Sequence, residues 1–442
     1  MATYYFIGIK GSGMSALANI LLDQGHRVLG SDIDQHIFTQ DKLEMRGVEI
    51  FSYHPDNIKD DYIVVVGNSF DKSHVEVEKA KALNLETYKY VEMLALLIDQ
   101  SYSVGIAGTH GKTTTTGLVS TILKGQGKTG FLIGDGHGLL ESDAINFVVE
   151  CCEYQDNYLN YYPNIVLINN IELDHVDYFK SMEQYIQSFI NFASHAKDYV
   201  VLNGDDVNVQ LIPRQDNYYY FGLNENNDFV AKNVSYHEKG ITFDLYTRYQ
   251  HSTLTYAYTF NLNFYGAHML MNALAAITIY VLRSKDLDYE KMATYLNDYQ
   301  GVARRFDIIE VNDNVFIDDY AHHPTAINLM IETVRQKYPD KKLISIFKPD
   351  RYSRIYEFGK EIALALNKSD EAYLFEFPST SVKEEGIDID MNYVLKDMKQ
   401  GEIIAEDQSS IDRFKNYHNC VFLFMSSKNV YDYREALIQS LE

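Results

Sequence analysis

Gly105-Ile106-Ala107-Gly108-Thr109-His110-Gly111-Lys112-Thr113-Thr114 is the stretch on which the fold turns. It follows an apolar run, Ser103-Val104-Gly105-Ile106, that reads as a strand, and it opens a helix. In that context backbone N–H groups and a helix N-terminus converge on one point, which suits an anion. Lys112 can reach the β and γ phosphates of ATP, and the Thr113 hydroxyl can enter a magnesium shell. The strict G-x-x-x-x-G-K-[ST] spacing fails at Ile106, and the pattern present is G-x-x-G-x-x-G-K-T. A strand before, Lys-Thr after and threonines from Thr113 to Thr116 make a phosphate loop the expected reading.

Outward from the loop, short β-branched runs alternate with helical patterns, which predicts an α/β chain with mostly parallel sheets. Strands are expected near Tyr4-Phe6-Ile7, Arg27-Val28-Leu29 and Ile63 to Val66, with a helix at Val91 to Leu97. A polar break at Asp99-Gln100-Ser101 ends this first block. The second has strands at Phe147 to Val149 and Ile165 to Ile168, and helices over His268 to Leu282 and Tyr289 to Leu296. Residues 228–264 alternate Tyr, Thr and Leu, as antiparallel or edge strands do. The third block has strands at Val315 to Ile317, Leu343 to Ile346, Tyr373 to Phe375 and Val421 to Phe424, and a helix from Thr325 to Arg335. With 442 residues, three domains are expected, at 1–99, 100–300 and 301–442.

A second glycine turn, Gly8-Ile9-Lys10-Gly11-Ser12-Gly13-Met14-Ser15-Ala16, joins the first strand to a helix, and Ser31-Asp32 closes the next strand. This is the dinucleotide fingerprint in its G-x-G-x-x-A form, with an acid at the ribose distance. It shows that a diphosphate fits a helix N-terminus, and it does not separate a nicotinamide dinucleotide from a UDP-sugar.

The formal charge of −23 argues against nucleic acid, which needs a basic face. No apolar run approaches the ~20 residues of a membrane helix. Met1-Ala2-Thr3-Tyr4-Tyr5-Phe6 does not resemble a secretion signal, so a cytoplasmic location is expected. Three cysteines make no disulfide framework; Cys151 and Cys152 are expected to be buried free thiols.

Gly108-Thr109-His110-Gly111-Lys112-Thr113-Thr114 resembles the nucleotide signature of the Mur ligases, with a histidine typical of the branch that adds L-alanine. Asn170-Ile171-Glu172-Leu173-Asp174-His175 resembles the family's T-N-I-x-x-D-H segment, and Gly266-Ala267-His268 through Asn272 its G-x-H-N-x-x-N helix start. Gly301 to Phe306, Asp318 to Pro324 and Arg351-Tyr352-Ser353-Arg354 are similar to G-V-x-R-R-F, D-D-Y-A-H-H-P and R-Y-S-R. The resemblance implies a Rossmann-like UDP-sugar domain, a central P-loop ATPase-like domain and a Rossmann-like C-terminal domain. It implies an ATP- and Mg2+-dependent ligase that joins UDP-N-acetylmuramate to L-alanine through an acyl phosphate. Oligomeric state, monomer or homodimer, stays open.

The resemblance also distributes roles. Lys112, Glu153, His175 and Arg304 fall on catalytic positions, and Thr113, Glu153 and His175 on metal positions. ATP falls to Gly108 through Thr114, His268, Asn272, Arg305 and Asp319. The UDP-sugar falls to Gly11, Ser12, Gly13, Met14, Ser15, Ser31 and Asp32. The amino acid falls to Tyr320, His322, Asp350, Arg351 and Arg354, with His323-Pro324 expected to cap the helix that follows.

Four stretches depart from the family pattern: Met269, Lys348-Pro349-Asp350, Ser426-Ser427-Lys428-Asn429 and Tyr154-Gln155-Asp156-Asn157. An acid at 350 would repel an incoming carboxylate, and the expectation is that Lys348 or Arg351 neutralises it. The competing readings are a murein tripeptide ligase of the same family, a nucleotide-binding paralogue without ligase activity, and an NAD oxidoreductase.

Overall fold

The structure, a computed structural model, describes residues 1–134, 136–249, 253–301, 305–379, 381 and 386–441. It is α/β with three sheets. The chain parses into two compact units: 1–232 with 244–258 and 272–299, and 233–243 with 259–271 and 300–442.

In the first unit, Thr3–Ile7 lies between Arg27–Ser31 and Tyr62–Val66, with Glu49–Phe51 and Thr87–Lys89 at the edges, all parallel. The order, third-second-first-fourth-fifth in the chain, is the dinucleotide-binding order 3-2-1-4-5-6 without its sixth strand. Tyr5, Phe6 and Ile7 are wholly buried, as a central strand covered on both faces requires.

The phosphate loop leaves the strand Tyr102–Ala107. That strand pairs in parallel with Asn146–Glu150 on one side and Ile165–Ile168 on the other. Three neighbouring strands therefore release their C-terminal loops together, which is where parallel sheets bind ligands. Phe229–His237, Gly240–Thr247 and Thr255–Leu262 form one edge of this ten-stranded sheet, as the alternation over 228–264 foretells.

The third sheet, six-stranded, lies in the second unit. Asp307–Val311 is antiparallel to Asn314–Asp319, and Cys420–Met425, Lys342–Phe347, Glu371–Leu374 and Glu402–Ile403 continue in parallel. Asn314–Asp319, Cys420–Met425 and Lys342–Phe347 are neighbours, so Asp319, Ser426 and Lys348 emerge at one sheet end.

The expected helices are present as Tyr90–Ile98, Ala267–Arg283, Tyr289–Asn297 and Pro324–Lys337. The helix Met182–Ala193 is not foreseen by the sequence reading, although Ser181 caps it by accepting from the Gln184 N–H. Cys151 is buried as expected, but Cys152 is exposed, because side chains alternate after the strand end. Among the described residues no helix is long and apolar enough to cross a membrane.

Candidate active site

Glycine shapes the phosphate loop at two points. Gly108 has φ +135° and Gly111, at the helix N-cap, φ +79°. A Cβ on Gly111 would lie 2.8 Å from Oδ1 of Asn272, so that asparagine packs directly on the loop. The loop is tied to the neighbouring strand end as well. Thr109 N donates to Asn170 O at 3.1 Å and His110 N to Asn170 Oδ1 at 2.8 Å. His110 Nε2 lies 2.8 Å from Glu172 Oε2.

Lys112, Glu153 and His175 lie together. The Lys112 ammonium is 3.0 Å from each Glu153 oxygen and donates to the Thr109 and Gly108 carbonyls. His175 Nε2 lies 3.7 Å from Glu153 Oε1. Burial, the largest single influence, would lower the Lys112 pKa, but Glu153 together with Cys152 and Glu150 holds the lysine above its ordinary value. Glu153 is 0% exposed, and the Tyr185 hydroxyl donates to its Oε1 at 3.2 Å. His175 sits in left-handed backbone, φ +52°, with its N–H accepted by Asp174 Oδ1 at 2.7 Å. That conformation is uncommon outside glycine and asparagine, and the ring lies beside Glu153 and 4.8 Å from the Tyr154 ring centre. Glu153 and His175, a carboxylate and an imidazole 3.7 Å apart, are donors that fit a divalent cation keeping some waters.

At the first glycine turn, Gly11 is the N-cap of the helix Ser12–Asp23, and Gly11, Ser12 and Gly13 reach the surface. Met14, Ser15 and Ser31 are instead buried beneath it. Ser15 donates to Thr39 O at 3.1 Å, and Ser31 donates to the wholly buried Glu76. Asp32 accepts the N–H groups of Lys10 at 2.7 Å and Ile33 at 2.8 Å. Glu76, missed by the sequence reading, also accepts from Tyr5, His54 N and Asn57, at 2.8, 3.1 and 2.9 Å. No local pattern marks it, because its partners come from three separate segments.

In the second unit, Asp319 is buried with its two carboxylate oxygens accepting Phe306 N and Ala321 N, at 2.9 and 2.8 Å. The Arg305 guanidinium lies 4.8 Å from the Tyr320 ring centre. Burial and Arg305 lower the His268 pKa to about 4, which keeps its ring neutral at neutral pH. Arg304 lies outside the described residues. His323 holds the N-cap position before Pro324, but its side chain does not cap; the ring packs on Phe358 at 4.8 Å.

The expected neutralisation of Asp350 by Lys348 or Arg351 is corrected. Lys348 lies 2.7 Å from both Glu406 oxygens and 2.8 Å from Asn429 O. Asp350 is instead paired with Arg354 one helical turn on, and it accepts Ser427 Oγ–H at 2.9 Å. Arg351 donates its backbone N–H to Asp350 Oδ1, at 2.8 Å. Against the cost of burial, nearby His322 and Arg354 hold the Asp350 carboxyl at about 2. Asp350 and Arg354 are 8% and 6% exposed, so the pair is nearly dry.

A phosphate-loop helix between parallel strands, with a lysine, a carboxylate and an imidazole at its mouth, defines a P-loop type of nucleotide protein. The Mur ligase family, catalytic domain model matches residues 3–102, the Mur ligase middle domain model 106–280, and the Mur ligase, glutamate ligase domain model 304–418. The chain belongs to the Mur ligase family, whose members are ATP-dependent ligases. The structure is similar to that of UDP-N-acetylmuramate-alanine ligase MurC from Thermotoga maritima, with TM-score 0.81 and 22% identity over 99% of this chain and 98% of that one. A murein peptide ligase from Psychrobacter arcticus matches at TM-score 0.70 and 22% identity over 100% and 99%. MurF ligase from Thermotoga maritima in complex with ADP matches at 0.63 and 18% over 94% and 95%.

Proposed function

We propose that this chain is a cytoplasmic ligase of cell-wall precursor synthesis that joins UDP-N-acetylmuramate to an α-amino acid, L-alanine first among them, at the expense of ATP. The observation that carries the reading is the convergence of Lys112, Glu153 and His175 at the phosphate loop, within 3.0 and 3.7 Å. Residues 1–99 take the UDP-sugar through the N-terminus of the helix at Gly11, 100–300 take ATP, and 301–442 take the acceptor.

Two anions must meet for the first step. The muramate carboxylate oxygen attacks the γ-phosphorus, the bond to the β-phosphate oxygen breaks, and ADP leaves. Loop N–H groups receive the phosphates, and Lys112 exchanges Glu153 for the γ-phosphate as negative charge shifts. Glu153, His175 and Thr113 would hold Mg2+, which supplies the charge neutralisation that lets carboxylate and phosphate approach. The acceptor amine then attacks the acyl carbon, phosphate departs, and the amine loses a proton.

The buried Asp350–Arg354 pair supports a second reading within the same class, an acceptor other than L-alanine. An acceptor carboxylate aimed at Arg354 must compete with Asp350, which is already bound to it. Phosphate release from ATP with UDP-N-acetylmuramate and, separately, L-alanine, glycine, L-serine and murein tripeptide decides between them. Release with L-alanine alone is expected; release only with tripeptide selects the recycling activity, and no release with any acceptor sinks the ligase assignment.

A further inference from the structure

Glu153 is followed by a segment that does little to hold it. Tyr154–Asn160 contains two consecutive left-handed residues, Gln155 and Asp156, with φ +55° and +56°. What fixes the carboxylate is the helix Met182–Ala193. Tyr185, wholly buried, donates to Glu153 Oε1 at 3.2 Å, and its oxygen is 3.1 Å from Thr109 Oγ1 of the phosphate loop. Three residues on, Ser188 donates to Asp156 and lies 2.9 Å from the Tyr158 hydroxyl. Tyr178, just before the helix, donates to the other Asp156 oxygen at 2.7 Å.

We propose that Tyr185 is a positioning residue for the ATP site: its hydroxyl locks one oxygen of Glu153 to the phosphate loop and keeps the other turned toward a divalent cation. This rests on the reading that Glu153 holds a cation beside the nucleotide. In the arrangement seen, Lys112 neutralises both carboxylate oxygens. When Lys112 moves to a phosphate, a carboxylate this deep in the protein needs another donor to keep its orientation. Tyr185 is that donor. A phenol O–H facing a carboxylate oxygen can only donate toward it, and this one lies 3.2 Å from Glu153 Oε1. The ring is held independently, edge-on to Phe179 at 4.7 Å and to Phe189 at 5.1 Å. Tyr185→Phe therefore removes the hydroxyl and leaves the packing.

The test is Mn2+ binding to the full chain at fixed ADP, read as free Mn2+ by electron paramagnetic resonance. Metal-free ADP binding and thermal unfolding are measured alongside, on wild type, Tyr185→Phe, Ser188→Ala and Glu153→Gln. Tyr185→Phe should weaken Mn2+ binding by about 10–100-fold, the usual effect of losing an outer-shell partner, and weaken metal-free ADP binding far less. Ser188→Ala loosens the loop but spares the Glu153 donor, so its effect should be smaller. Wild-type Mn2+ affinity in Tyr185→Phe overturns the proposal. So does an equal loss in Ser188→Ala, or a loss that parallels metal-free ADP binding and melting temperature, since each marks a merely structural role. If Glu153→Gln binds Mn2+ like wild type, the underlying metal reading fails instead.

Discussion

At the scale of single residues, charge and burial decide what each substitution costs. Glu153→Ala and His175→Ala should each slow acyl-phosphate formation by roughly 10²–10³-fold if they stabilise developing charge. Trapping the acyl phosphate with hydroxylamine at limiting Mg2+ measures this step without any acceptor, and a wild-type rate would remove that residue from the site. Asp350 offers a different kind of prediction. Its folded pKa is depressed to about 2, so the carboxylate contributes stability above its ordinary value of 3.8, and that contribution is lost as pH falls from there toward 2. Asp350→Asn should abolish that part of the acid dependence in denaturant titrations. It should also lower stability at neutral pH, because it removes one partner of a buried ion pair. Exchanging Lys348 should not rescue it, since Lys348 is bound to Glu406.

At the scale of elements, the phosphate-loop helix was legible because its signals are local. Glycines where φ is positive, a lysine at the first helical position and a strand before it occupy consecutive positions. The helix Met182–Ala193 carries equally good signals that the sequence reading passed over. Ser181 stands at its N-cap, and Tyr185, Ile186, Phe189, Phe192 and Ala193 recur at helical spacing. Ser181→Ala should lower stability by ~1 kcal/mol through the lost cap. Thermal unfolding should report that decrease with little change in ADP binding, because Tyr185 is held by ring packing rather than by the cap. A loss of ADP binding larger than the loss of stability would show that the cap region touches the nucleotide site.

At the scale of the whole molecule, the two glycine turns lie on different sheets, one on the strand Thr3–Ile7 and one on Tyr102–Ala107. Lys112→Ala should therefore abolish ATP turnover while UDP-N-acetylmuramate binding, measured calorimetrically, stays near wild type. Equal loss of both ligands would count against the assignment of one phosphate site to each sheet. Membership of a ligase family rather than a dehydrogenase one predicts that the purified protein carries no stoichiometric NAD(H) or NADP(H), which absorbance after denaturation would reveal. By itself the sequence determined the strand–loop–helix chemistry and the α/β class, because both follow from backbone conformation and periodicity over a few adjacent residues. Only the tertiary structure decided which side chains neutralise one another. Glu153 meets Tyr185 across 32 positions, Lys348 meets Glu406 across 58, and Asp350 meets Ser427 across 77. Even Arg354, four residues from Asp350, was not singled out as its partner. Lys348 and Arg351 stand nearer in sequence, and only the packed helix and strand ends fix which cation is within reach of a buried acid.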